Sequence, residues 1–231
     1  MDERVAAKRL ENVKNRIKKT AERVNRDPLD IKLIAVSKNH GIEKINYFKK
    51  NGIEIFGENR VQELLDKDEE LKSNLNWHFI GHLQRNKVKY IMRMDNCLMI
   101  HSIDSKKLAR EVNKRARKND RVMPVLLEVN VSGDENKYGF TQEKALDFAM
   151  KINDYKNLDL RGLMTIVPYV DDVEEVRPYF KKLAVLKNDL NDKGLSLKEL
   201  SMGMSNDFEV AIEEGATMVR VGTGLFGERE Y

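Results

Sequence analysis

Short apolar runs alternate with longer amphipathic stretches along all 231 residues, and that alternation restricts the fold more than any other feature. The runs read IKLIAVSK, ending at Lys38; IEIFGEN, ending at Asn59; and WHFIGH, ending at His82. CLMIHSID, VMPVLLEVNV, LDLRGLMTI, LKELSMGM and TMVRVGTGLFG follow. Between them lie segments with helical spacing, among them VQELLDKDEELK, SKKLAREVNKRARK, TQEKALDFAMKI and the stretch from about Val173 to Asn191. A leading segment from about Glu3 to Val24 carries Val5, Leu10, Val13, Ile17, Ala21 and Val24 at helical spacing, and Asp27-Pro28 closes it. Eight strand candidates, seven intervening helices and one leading helix predict a parallel sheet with helices outside it. That count fits an α/β chain of the (β/α)8 TIM-barrel type better than an open doubly wound sheet. No Pro/Gly/Ser linker or composition shift divides the chain, so residues 1–231 are expected to form one domain, its first helix replacing a missing last one.

Composition narrows the function classes. With 41 % hydrophobic and 35 % charged residues the chain reads as neither disordered nor membrane-spanning. The segment MDERVAAKRLE lacks the apolar core of a signal peptide. The single cysteine, Cys97, cannot form an internal disulfide, so a cytoplasmic location is expected. The net charge of +4 comes from interspersed charges of both signs, and aromatics are only 7 %, which argues against a nucleic-acid partner.

In a barrel of this type, active residues sit at the C-terminal ends of the strands, and phosphate is commonly held after the seventh and eighth. The seventh run ends in SMGMS, where Ser205 is expected to cap the following helix and direct its first amides at an anion. The eighth ends in RVGTG, where Gly222 and Gly224 admit a ligand to the backbone and Thr223 adds a hydroxyl. Closure makes the first strand the neighbour of the eighth, which brings Lys38 beside this cradle on the face shared by Ile34 and Val36. A lysine in such a place becomes a Schiff-base nucleophile when its pKa falls. Arg220, on one face with Met218 and Gly222, needs a partner: a structural salt bridge to Glu128, or a ligand atom. Lysine, phosphate cradle and inward arginine together fit pyridoxal 5′-phosphate.

Taken in order, LIAVSKNH, FGENRVQEL, WHFIGHLQRNK, NKYGF, RGLMTIVP and SMGMSNDFEVAIEEGATMVRVGTGLFGER resemble the pyridoxal-phosphate homeostasis protein family, single-domain relatives of the alanine racemase barrel. The resemblance spans nearly the whole chain. It implies that Lys38 is the Schiff-base lysine, that Ser205, Gly222 and Thr223 hold the phosphate, and that Arg220 faces the pyridine nitrogen. It also implies places near the cofactor for Asn59 and His82, and for Met164 beneath it on the sixth strand.

An arginine beside the pyridine nitrogen discourages its protonation, which weakens the ring as an electron sink. Alanine racemases also use a tyrosine reached through an additional C-terminal domain, for which a chain ending at Tyr231 leaves no room. The expected function is therefore intracellular pyridoxal-phosphate (vitamin B6) homeostasis without a dedicated reaction. The alternatives are an amino-acid racemase or decarboxylase of low activity, and a cofactor-free Schiff-base aldolase. Expected partners are pyridoxal phosphate and pyridoxal-phosphate-dependent apoenzymes, with no membrane and a monomeric chain. The remaining readings are bland. His78 and His82, four apart on a strand, do not form a helical metal pair. His101 is expected at the polar rim, and Lys137 in solvent.

Overall fold

Each apolar run closes onto its neighbours as a parallel strand. In a computed structural model, which describes residues 2–72, 74–134 and 136–228, the strands are β1 Lys32–Val36, β2 Ile55–Glu58, β3 Asn76–Phe79, β4 Cys97–Ile103, β5 Met123–Glu128, β6 Leu158–Met164, β7 Glu199–Ser201 and β8 Met218–Val221. They form a closed barrel in chain order, β8 pairing back on β1 with Ile34 opposite Arg220. The fold is the expected (β/α)8 barrel.

The helices of the described residues are α1 Glu3–Arg23, α2 Ile42–Lys50, α3 Val61–Glu70, α4 Val88–Ile91, α5 Lys106–Lys118, α6 Gln142–Ala149, α7 Arg177–Asp192, α8 Phe208–Glu213 and α9 Thr223–Phe226. Side-chain caps start three of them: Asp2 for α1, Ser105 for α5 and Thr141 for α6 accept bonds from the first-turn amides. The segment RNKVKYIMRM between β3 and β4 forms only a 3-10 turn, Arg85–Lys87, running into the single turn of α4. As expected, α1 substitutes for a full last helix by packing on α8 and α9. Arg16 pairs with Glu209 at 2.6 Å and lies over the Phe208 ring, 4.5 Å from its centroid.

Strand alternation divides the core in two. Ala35, Phe56, Trp77, Ile100, Val125 and Leu163 belong to the large cluster shared with the helices, whereas Ile34, Met99, Leu126, Met164 and Met218 fill the barrel interior. Gly162 lets β6 approach β7: a Cβ there would stand 1.8 Å from the Glu199 carbonyl oxygen. No helix of the described residues is long and apolar enough to cross a membrane. Residues 229–231, which include the end of the FGER segment, lie outside the described residues.

Candidate functional site

A cavity of about 840 Å³ opens at the C-terminal ends of the strands. Seven of the eight residues expected at a cofactor line it: Lys38, Asn59, His82, Ser205, Arg220, Gly222 and Thr223. The eighth, Met164, does not reach the wall; it is fully buried among the interior methionines and leucine.

Lys38 lies two residues past the end of β1, in a turn, rather than in the strand. Both neighbours of Lys38 are held in place. Ser37 Oγ donates to Glu58 Oε1 at 2.7 Å, and Lys67 Nζ donates to the Ser37 carbonyl at 2.7 Å and lies 2.6 Å from the same Glu58 oxygen. Asn39, at φ 62, donates its backbone N–H to Glu63 Oε1 at 2.5 Å, and Glu63 is itself paired with Lys67 at 2.7 Å. Asparagine tolerates this left-handed backbone better than most residues. The turn that aims Lys38 is thus tied to α3 through a buried cation. Burial raises the Glu58 carboxyl above its ordinary pKa, with Lys67 opposing, and Glu58 Oε2 has no hydrogen-bond partner among the described residues.

Across the β8–β1 seam, Ser205 acts differently from expectation. Asp207, not Ser205, is the residue before α8, and Asp207 Oδ1 accepts the Met204 N–H at 2.5 Å. Ser205 Oγ instead accepts the Gly224 N–H at 3.1 Å, bolting the loop after β7 to the one after β8. The chain turns at Gly203, at φ +89, where a Cβ would stand 2.6 Å from that of Ala211. At Gly222 a Cβ would stand 3.4 Å from the Val36 carbonyl oxygen, in ordinary contact. The edge of the cavity here is a cradle of small residues, Ser205, Gly222 and Thr223.

Arg220 does not pair with Glu128. Its Nη1 donates to Ser201 Oγ at 2.7 Å and its Nη2 to the Thr165 carbonyl at 2.8 Å. Burial lowers the guanidinium to about 10, while Asp207 and Glu128 act the other way, so it stays charged at neutral pH. Behind it sits His101, which is fully buried rather than at the rim, its Nδ1 2.9 Å from Ser201 Oγ. On the opposite lip, His82 Nδ1 lies 2.8 Å from Asp104 Oδ2, and its ring stacks on Tyr138 at 3.8 Å between centroids. His78 points into the barrel toward His101, so the two histidines of WHFIGH do not converge. Lys137 is half-buried and is not part of the cavity wall. The apolar part of the mouth, Ile166 to Val170 with Met204, lies in loops after β6 and β7 where strand alternation carries no signal.

A lysine-bearing barrel with this cradle and arginine defines a class of protein. The sequence model of the alanine racemase N-terminal domain matches residues 9–230, and the chain belongs to that family. Within it, the chain stands with the pyridoxal phosphate homeostasis proteins: that of Aquifex aeolicus is 50 % identical over 98 % of this chain and 99 % of its own length. The human protein of that name is 37 % identical over 96 % of this chain and 86 % of its own. Among solved structures, PipY of Synechococcus elongatus, with PLP bound, is 34 % identical with a TM-score of 0.80, covering 92 % of this chain and 100 % of its own. An alanine racemase of Clostridium difficile shares the fold at a TM-score of 0.71 and 18 % identity, covering 93 % of this chain and 55 % of its own.

Proposed function

We propose that this protein binds pyridoxal 5′-phosphate on Lys38 and serves intracellular vitamin B6 homeostasis rather than a dedicated reaction. The observation that carries the reading is that one cavity is lined at once by Lys38, by Arg220 and by the small-residue edge of Ser205, Gly222 and Thr223. These residues fit the group: an amine, a guanidinium and two hydroxyls line one cavity whose edge carries the small residue Gly222, and Ser205 keeps its two loops together. When bound, pyridoxal phosphate supplies an aldehyde that condenses with a lysine amine and a ring that withdraws electrons when its nitrogen is protonated. Ser205, Gly222 and Thr223 would hold the phosphate, and Asn59 and His82 would flank the ring. Arg220, a pure donor, would meet the ring nitrogen, disfavouring protonation there. That assignment leaves carbanion chemistry weakly supported. The relatives named for pyridoxal phosphate homeostasis support the same reading.

The recipients would be pyridoxal-phosphate-dependent apoenzymes, the protein itself a monomer, and the compartment the cytoplasm, as its lone cysteine suggests. The purified protein should be yellow, borohydride should fix the cofactor to Lys38, and Lys38→Ala should abolish the adduct. A protein that stays colourless with added pyridoxal phosphate would overturn the reading. Robust turnover of a D- or L-amino acid, lost in Lys38→Ala, would replace it with the racemase or decarboxylase reading.

A further inference from the structure

Behind the cavity, four polar side chains run in a row across the barrel interior. His78 of β3 places Nδ1 2.9 Å from Nε2 of His101 on β4, and His101 places Nδ1 2.9 Å from Oγ of Ser201 on β7. Arg220 of β8 closes the row, its Nη1 donating to the same Oγ at 2.7 Å. The four are at most 4 % exposed. Burying so many polar atoms is costly unless each is satisfied, so the order of donors and acceptors is constrained.

The guanidinium fixes that order, because it can only donate. Ser201 Oγ accepts from it, and the one remaining side-chain partner of that oxygen among the described residues is His101. The oxygen could accept twice, but the buried hydroxyl hydrogen would then have no side-chain acceptor among the described residues, so it goes to His101 Nδ1. An imidazole that accepts at Nδ1 and is neutral carries its hydrogen on Nε2, which here donates to His78 Nδ1. His78 must then carry its own hydrogen on Nε2. A second proton on His78 would set hydrogen against the His101 Nε2–H, and one on His101 would leave the buried Ser201 hydroxyl hydrogen without a side-chain acceptor among the described residues.

The surrounding charges favour the same state. Burial and then Lys32 push His78 down to about 4; burial, His78 and Arg220 push His101 well below its ordinary value. The carboxylates of Asp207 and Glu128 act on Arg220 in the opposite sense to burial, favouring its charged form.

We propose that His78, His101 and Ser201 form a one-way hydrogen-bond relay that positions Arg220, fixing it as a donor to the cavity and keeping a mobile proton away from whatever ring nitrogen it faces. Because the row runs only from arginine to His78, no member can pass a proton forward to the cavity. With Nη2 held by the Thr165 carbonyl, both ends of the guanidinium are anchored and its plane is set. The role toward the ring nitrogen rests on the pyridoxal-phosphate reading; the tautomers do not.

Histidine-selective nitrogen NMR of the cofactor-free protein tests the tautomers first. Both rings should be neutral and protonated on Nε2 from about pH 5.5 to pH 8. A charged ring, or hydrogen on Nδ1 of either, overturns the relay even if pyridoxal phosphate binds normally. The second arm tests positioning in the loaded protein. Ser201→Ala should weaken pyridoxal-phosphate affinity about tenfold and make the cofactor absorbance pH-dependent, whereas Ser201→Thr should restore both. Unchanged affinity and spectrum in Ser201→Ala would refute the positioning role. Failure of the wild type to bind would instead refute the function reading and leave the NMR result standing.

Discussion

Lys67→Met should lower the unfolding free energy by about 3–5 kcal/mol, the cost of leaving a buried charge without its partner. Lys67 Nζ bridges Glu58 and Glu63 at 2.6 and 2.7 Å and also donates to the Ser37 carbonyl. Glu58 is fully buried, and one of its oxygens already lacks a hydrogen-bond partner among the described residues. Without the ammonium, the remaining favourable contact of that carboxyl is the Ser37 hydroxyl. The loss should shrink toward acid pH, where the abandoned carboxyl takes up a proton. Adding Glu58→Gln should recover more than half of it, since the neutral amide no longer needs a counter-charge. Urea titrations of the two single variants and the double measure all three quantities, provided the m-value holds. A Lys67→Met protein within about 1 kcal/mol of wild type would show that the pair is not a stabilising unit. The loss also bears on function. The backbone on both sides of Lys38 hangs on this cluster, so the same variants should loosen cofactor binding even in molecules that remain folded.

That cluster also marks where reading the sequence stops. Glu63 and Lys67 are visibly four apart on a helical stretch, the spacing of an ordinary solvated pair. Nothing local reveals that Lys67 is buried against Glu58, because the burial comes from how α3 lies over the turn after β1. The barrel was legible for the opposite reason: alternation is local, it recurs eight times, and parallel pairing then leaves few topologies. The same locality brings Lys38, Arg220, Gly222 and Thr223 to one cavity, since each lies at or just past a strand end, although Lys38 sits in the turn and not in the strand. Ser205 was located but misassigned, because a hydroxyl before a helix has an obvious local task, and its real partner is 19 residues away. His101 was misplaced at the rim because its partner Ser201 is 100 residues distant. Met164 lies on the expected strand, yet its interior packing, not the cavity, takes its side chain.

Glu128→Gln should stabilise the protein by about 2–3 kcal/mol at pH 8 and steepen its loss of stability in acid. Glu128 ends β5 with 7 % exposure and one oxygen lacking a hydrogen-bond partner among the described residues. Burial, then the nearby Asp104 carboxylate, pushes its carboxyl from an ordinary 4.5 up to about 7, with Arg220 pulling the other way. The folded state thus keeps its proton where the unfolded chain has already lost it. Stability is complete below the ordinary value, falls as pH rises to about 7, and stays reduced above that. Glutamine has no charge to bury and escapes the loss. His78 has the reverse sign: pushed down to about 4, it contributes stability that is present above an ordinary 6.5 and is lost as pH falls toward 4. In the wild type these two slopes oppose each other between about pH 4.5 and pH 6.5, and removing Glu128 leaves the histidine slope uncompensated. Thermal or urea unfolding of both proteins from about pH 4.5 to pH 8 should show curves that diverge as pH rises. Superimposable curves would mean that Glu128 is ionised and satisfied in the fold. A carboxyl kept beside Arg220 at that cost to the fold is accounted for by the site, where it offsets the buried guanidinium, and not by packing.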